Sequence, residues 1–259
     1  MTRLIRAELL KLATMRVTYG MILLALAVGG LFASLEASGA GRRVASVSTA
    51  SGLTTVTTTT GFAHIIAAVL GVILVSGEFR HGSATLTYLA TPARGRVRAA
   101  KTVAAAAGGA LLGLLAGLVA LGIGLGFVAA DGYQVTLGTG TLIGHVGGAM
   151  LGAALLAASG AAAGALIRSQ LGAVIGVFVW CLVVESILGR LFDSVQPYLP
   201  YTVSTTVAGA PVGAASFGPG YRISTVDPLP LLAGAGLLAG IAAVLALVAA
   251  RTTVRQDVT

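Results

Sequence analysis

Charge is the scarcest property of this chain. Asp, Glu, Lys and Arg make up 9% of its 259 residues, where a soluble globular domain carries about 25%. So few charges cannot cover the surface of a water-soluble fold, and that class is excluded. A lone cysteine, Cys181, rules out an intrachain disulfide. Neither it nor the scattered His64, His81 and His145 forms a group with metal-ligand spacing, so no metal site and no cofactor are expected. Lysine is nearly absent: Lys11 and Lys101 stand alone. Neither follows the glycine spacing of a phosphate-binding loop, so any such ATP chemistry must come from another polypeptide. No nucleophile, base and orienting group occur together, so no catalytic residue is expected.

Apolar residues fill the space that charge leaves. They amount to 56% of the chain and gather in runs long enough to cross a bilayer, which takes roughly 20 residues each. Spans are expected at Val17–Leu35, Gly61–Gly77, Val103–Ala130, Thr141–Ile167, Leu171–Leu188 and Leu231–Ala250, giving an all-α polytopic membrane protein in a single domain, 1–259. Six spans return the chain to the side it started from. The first run is too long for a signal-peptide core and lacks a cleavage site, so it should persist in the mature protein. Before it, residues 1–16 read as an amphipathic interfacial helix, with Ile5, Leu9 and Leu12 on one face and Arg3, Lys11 and Thr14 largely opposite.

The basic residues are unevenly shared between the two sides. Arg3, Arg6, Lys11, Arg16, Arg80, Arg94, Arg96, Arg98, Lys101, Arg168, Arg251 and Arg255 fall on one side, 12 of the 16; Arg42, Arg43, Arg190 and Arg222 fall on the other, offset by Glu36, Asp131, Asp193 and Asp227. The positive-inside rule makes the first side, with both termini, cytoplasmic. The net charge of +8 is thus a topology signal, and nucleic acid is not an expected partner, because no basic face stands on a soluble domain.

Several features stand out within this frame. Gly109, Gly113 and Gly117 recur every fourth residue in the third span, as do Gly144, Gly148 and Gly152, then Gly160 and Gly164, in the fourth. Such stripes let helix backbones approach closely. Glu185 is the one acid well inside a span. It reads either as a pathway or gate residue, protonated or paired with Arg190, or as an outer-leaflet acid satisfied by nearby loop backbone. The outer segment 189–230 carries Pro197, Pro200, Pro211, Pro219, Pro228 and Pro230 with Tyr198, Tyr201 and Phe217, and its part from Leu191 to Ala208 is expected to fold back into the outer interface. Between spans two and three, Gly77–Lys101 packs Glu78, Arg80, His81, Arg94, Arg96, Arg98 and Lys101 into a charged island, with Ser83–Ala90 as a short helix-compatible stretch bounded by Gly82 and Thr91-Pro92.

Together these features resemble the permease subunits of ABC-2 type exporters, over nearly the whole chain. The most specific match is Gly-Glu-Phe-Arg-His-Gly-Ser at Gly77–Ser83, followed by Leu86, Pro92, Arg94 and Lys101, which is similar to the family's Glu-x-Arg-x-Gly-Thr pattern with Ser83 in place of Thr. The resemblance implies that Ser83–Ala90 is a coupling helix docking on a separate ABC ATPase subunit. Leu86, Tyr88 and Leu89 would be its apolar anchors and Arg80 and Arg94 its rim, within an ATPase-coupling set that includes Glu78, Gly82, Ser83 and Pro92. It further implies residence in the cell inner membrane among its lipids, a second permease copy or homologous permease, and ATP bound only by the partner. The cargo would be an amphipathic or lipid-like drug, peptide or lipid. A proton-coupled carrier and a noncatalytic scaffold or immunity protein are the alternatives.

The topology is directly testable. Reporters fused after Thr259 or inserted near Gly95 should read cytoplasmic, and those near Thr57 or Phe217 external; a cytoplasmic reading at Phe217 would break the six-span arrangement.

Overall fold

The computed structural model describes residues 1–38, 58–80, 93–130, 132, 134, 137–167, 169–213 and 226–252, and among these no β-strand occurs. Helix α1 (Thr2–Thr14) is separated by an extended Met15 from α2 (Arg16–Ser38). After a 3₁₀ turn at Thr58–Thr60 come α3 (Gly61–Arg80), α4 (Arg94–Ala130) and α5 (Thr139–Leu166). The next span, Gln170–Leu191, is one rod in three parts: α6 (Gln170–Phe178), a π-helical stretch (Val179–Val184) and α7 (Glu185–Leu191). A 3₁₀ turn at Gln196–Tyr198 leads into α8 (Pro200–Val207), and α9 (Leu231–Thr252) completes the bundle. Six helices are long and apolar enough to cross a membrane, at the six expected positions. The 37 residues of α4 reach about 55 Å, well beyond the ~30 Å hydrocarbon core, so α4 must project past the bilayer.

The spans are not equivalent. In α3, 83% of the apolar window is buried, against 22% in α2 and 17% in each of the Gln170–Leu191 and Leu231–Thr252 spans. Helices α3 and α5 therefore form the centre, and the others present one face to lipid. The central core runs through Leu12, Met21, Ile66, Leu70, Leu112 and Ala157, drawing on α1 to α5.

Backbones meet where the glycines recur. A Cβ on Gly109 or Gly113 of α4 would strike the carbonyls of Ala153 and Ala149 in α5. One on Gly71 of α3 would strike the Ala157 carbonyl, and ones on Gly160 and Gly164 would crowd the backbone of Ala68 and Val72. Gly117 makes ordinary contact with Val146 and Ala149, while Gly144 has open space around it, so the expected stripe is a contact everywhere except at its first residue. Lipid supplies no hydrophobic force between helices, and dispersion at close approach takes its place.

The folded-back segment is α8, and it goes deeper than an interface. Tyr201, Thr202, Val203, Ser204, Thr205 and Val207 are buried, against α5, α9 and α3. Gly148 and Gly152 admit it, since a Cβ on either would run into the Val207 or Ser204 carbonyl. An eight-residue helix is marginal alone, and both ends of this one are fully accounted for. Pro200 opens it at the first position, where a missing N–H costs nothing. At the other end the Gly209 N–H bonds the Thr206 carbonyl at 2.9 Å and the Ala210 N–H the Thr205 carbonyl at 3.1 Å, a Schellman closure that needs Gly209's φ of +90°.

Gly152→Leu should therefore expel α8, whereas Gly144→Leu should be tolerated. In a Cys181→Ala background, a buried probe at Val203→Cys should resist a membrane-impermeant maleimide, become reactive when Gly152→Leu is added, and stay protected with Gly144→Leu; overpacking of this kind costs about 1–3 kcal/mol or more.

Candidate functional site

The two lysines of the chain meet two acids at the end of the bundle where α1 lies. Lys101, 3% exposed, sits one to two turns into α4. Its Nζ donates to both carboxylate oxygens of Glu8 at 3.1 Å and to Oε1 of Glu78 at 2.6 Å. Lys11 donates to the same Glu78 oxygen at 2.5 Å and lies 3.6 Å from Glu8. Two positive and two negative charges thus close a neutral cluster joining α1, the last turns of α3 and the first turns of α4. A compact ammonium with three donors suits this role, since one Lys101 Nζ serves three carboxylate oxygens at once. Burial alone would lower the Lys11 pKa, but Glu78 and Glu8 outweigh it and raise it above the ordinary lysine value. On the alkaline side its ion pairs therefore persist until pH climbs past the usual lysine range.

This changes the reading of α1. The face turned to the bundle carries Glu8 and Leu12, both buried, with Lys11 half-buried beside them, while Leu9 is 39% exposed. The helix is rotated from the expected stripe of Ile5, Leu9 and Leu12, because pairing Glu8 and Lys11 outweighs covering Leu9, which lipid accepts. Glu8 was invisible as a site residue in the sequence. The available signal was that Glu8 and Glu78 are the two acids in the helices of an otherwise basic side.

The remaining charged-segment residues divide. Glu78 is in the cluster; Arg80 ends α3 and Arg94 begins α4. Gly82, Ser83, Leu86, Tyr88, Leu89 and Pro92 lie outside the described residues.

Deeper in the bundle, Glu185 is buried and does not pair with Arg190, which is exposed. Its Oε1 accepts the Trp180 indole N–H at 2.9 Å and the Tyr201 amide at 2.8 Å, and its Oε2 accepts the Thr202 amide at 3.0 Å and the Thr202 hydroxyl at 3.2 Å. Tyr201 and Thr202 are the second and third residues of α8, so the carboxylate of one span caps the helix that folds back beside it. The reading of Glu185 as an acid satisfied by neighbouring backbone is the geometry found. Two histidines hold the same helix. His64 is fully buried with Nδ1 3.1 Å from Ser204 Oγ, and since that hydroxyl donates to the Tyr201 carbonyl at 2.7 Å, the imidazole Nδ1 is the donor. His145 Nδ1 lies 3.1 Å from the Ala208 carbonyl. Among the described residues no group of His, Cys, Asp and Glu could hold a metal ion.

No family model matches the chain, and no curated protein is detectably similar to it.

Lys101→Met should leave Glu8 and Glu78 to share Lys11, an unbalanced negative charge in the cluster, destabilising the protein by about 3–5 kcal/mol. Thermal unfolding in detergent should show it. Adding Glu8→Leu restores charge balance and should recover part of the loss; if Lys101→Met unfolds at the wild-type temperature, the cluster is a screened surface feature.

Proposed function

We propose that this chain is the membrane-spanning subunit of an ATP-driven exporter of the ABC-2 type, working with a separate ABC ATPase subunit that binds the ATP. The observation that carries the reading is the charged Gly77–Lys101 segment, whose flanks are tied together by the Lys101–Glu78 bond. A partner that pulled on the residues between those flanks would push on α3 and α4 as one unit, and α3 is the most buried span of the bundle. The helix folded back at the opposite end supports the same reading, since such a segment suits a lid over an outward path. In this proposal the charged segment and both termini face the cytoplasm, the membrane is the cell inner membrane, and a second permease copy or homologue completes the pathway. The cargo is an amphipathic or lipid-like drug, peptide or lipid. Glu185 accepts four hydrogen bonds, three of them from α8, which favours a structural anchor over the titrating group of a proton-coupled carrier. A noncatalytic scaffold leaves the charged segment without a task.

The test is a pull-down from native membranes through a tag on the permease, with the bound ATPase identified by its ATP-binding cassette. Leu86→Asp or Leu89→Asp should lose the ATPase and its substrate-stimulated hydrolysis while the permease still inserts, because apolar anchors dominate contact energy and rim charges contribute little. Arg96→Ala, at an exposed position on the entry to α4, should keep the partner. Undiminished capture by both leucine variants at equal permease abundance would reduce the segment to an ordinary loop.

A further inference from the structure

We infer that the bundle contains a binding site for one acyl chain of a membrane phospholipid, in a cavity of about 350 Å³ among α3, α5, the Gln170–Leu191 span, α8 and α9. The inference does not depend on the exporter reading. Its walls include Gly160 of α5 and Ile167 just past its end, Gly176 and Trp180 of the fifth span, and Ile241 and Leu245 of α9, with Pro200 of α8 across the top. Gly176 and Trp180 are also exposed, so the space opens to the bilayer along that span.

Three properties select the occupant. The first is chemistry. Ser159, the polar side chain in the wall, donates to its own helix at the Leu155 carbonyl, 3.1 Å away, and the Trp180 N–H is taken by Glu185. None of the buried polar atoms left without a partner belongs to a lining residue. A polar ligand would find nothing to bond, and water gains nothing in an apolar space of this kind. The second is depth. The lining runs from Leu156 on α5 to Ile167 just past its end, about 16 Å along the axis and close to the ~15 Å of one leaflet's hydrocarbon. Ile167 lies at the α1 end, and Pro200 closes the top near mid-membrane, so the chain enters from the leaflet on the α1 side. The third is width. Over that length the 350 Å³ admits an extended hydrocarbon chain, whereas a helix from a second copy, about 10–12 Å across, is too wide to enter. The π-helical stretch places Trp180 and Cys181 in this wall, and such departures from α-geometry gather at functional sites.

The experiment uses the full chain in nanodiscs containing a phosphatidylcholine with a diazirine on one palmitoyl chain, with label mapped by peptide mass spectrometry. Label is expected on Ser159, Cys181 and Ile241, and excess unlabelled phosphatidylcholine with intact palmitoyl chains should suppress it. Gly176→Leu fills the space, since the nearest atom to an added Cβ is Ile167 Cδ1 at 4.0 Å; it should cut that label by about tenfold. Gly240→Leu adds the same group where nothing lies within 4 Å and should leave the label unchanged. Label confined to outward-facing positions, label insensitive to competitor in the wild type, or label from a diazirine free fatty acid but not from the phospholipid would each overturn the assignment. The distribution of wild-type label between the lining residues and outward-facing positions needs no variant and decides the matter even if Gly176→Leu does not fold.

Discussion

Helices surrounded by lipid gain nothing by hiding apolar side chains from one another, so the fold depends on how closely backbones can approach α5. Three partners reach it at backbone distance: α4 through Gly109 and Gly113, α3 through Gly71 and the α5 residues Gly160 and Gly164, and α8 through Gly148 and Gly152. Each contact replaces a side-chain layer by dispersion between main chains. The preference of this chain for Gly and Ala is thus the condition for packing three elements around one helix. The cost is propensity, since each glycine weakens its helix by about 1 kcal/mol relative to alanine. Burial explains where that is tolerated: α3 and α5 are the two most buried spans, held by neighbours on several sides.

Close packing leaves little room for polar groups, and those around Lys101 and Glu185 are paired across elements far apart in sequence. Glu185, His64 and His145 all act on α8, and without them an eight-residue helix ending in mid-bundle would leave amides and carbonyls unsatisfied. The same rule works at the opposite end with full charges. A lone Lys101 at 3% exposure would be prohibitive, but two acids and a second lysine make the cluster neutral, so the desolvation of each ion is offset by its neighbours.

The readable parts of the sequence were those whose signal is summed over many residues. Five of the six apolar runs located their spans to within three residues, while the helix of the third span begins at Arg94, ahead of the expected Val103, because its charged first turns project beyond the apolar run. The glycine stripes located contacts at every member except Gly144, whose neighbourhood is open. The Pro- and Tyr-rich stretch indicated a folded-back segment, though its depth depended on Gly148 and Gly152 of another span. The ion cluster was hidden because its members are separated by 23 residues for Glu78 and Lys101, 67 for Lys11 and Glu78, and 93 for Glu8 and Lys101. Periodicity along one helix carries no information about such pairs. It even misplaced α1, where an apolar stripe through Leu9 lost to the pairing of Glu8 and Lys11. Glu185 shows the same limit: Arg190 is near in sequence, yet amides 16 and 17 residues away hold the carboxylate.

The cluster and the glycine contacts act on the same helices at different heights, which gives α3 its position in the molecule. Near one end Glu78 ties it to α1 and α4; through its middle Gly71, Ala68 and Val72 lock it to α5; near the other end His64 holds α8. A displacement at Glu78 cannot be absorbed by side-chain rearrangement along the way, because main chain rests on main chain from Ala68 to Val72. It must be carried to α8 or resisted by α5. That rigidity follows from the packing alone and requires no assumption about what moves the Glu78 end.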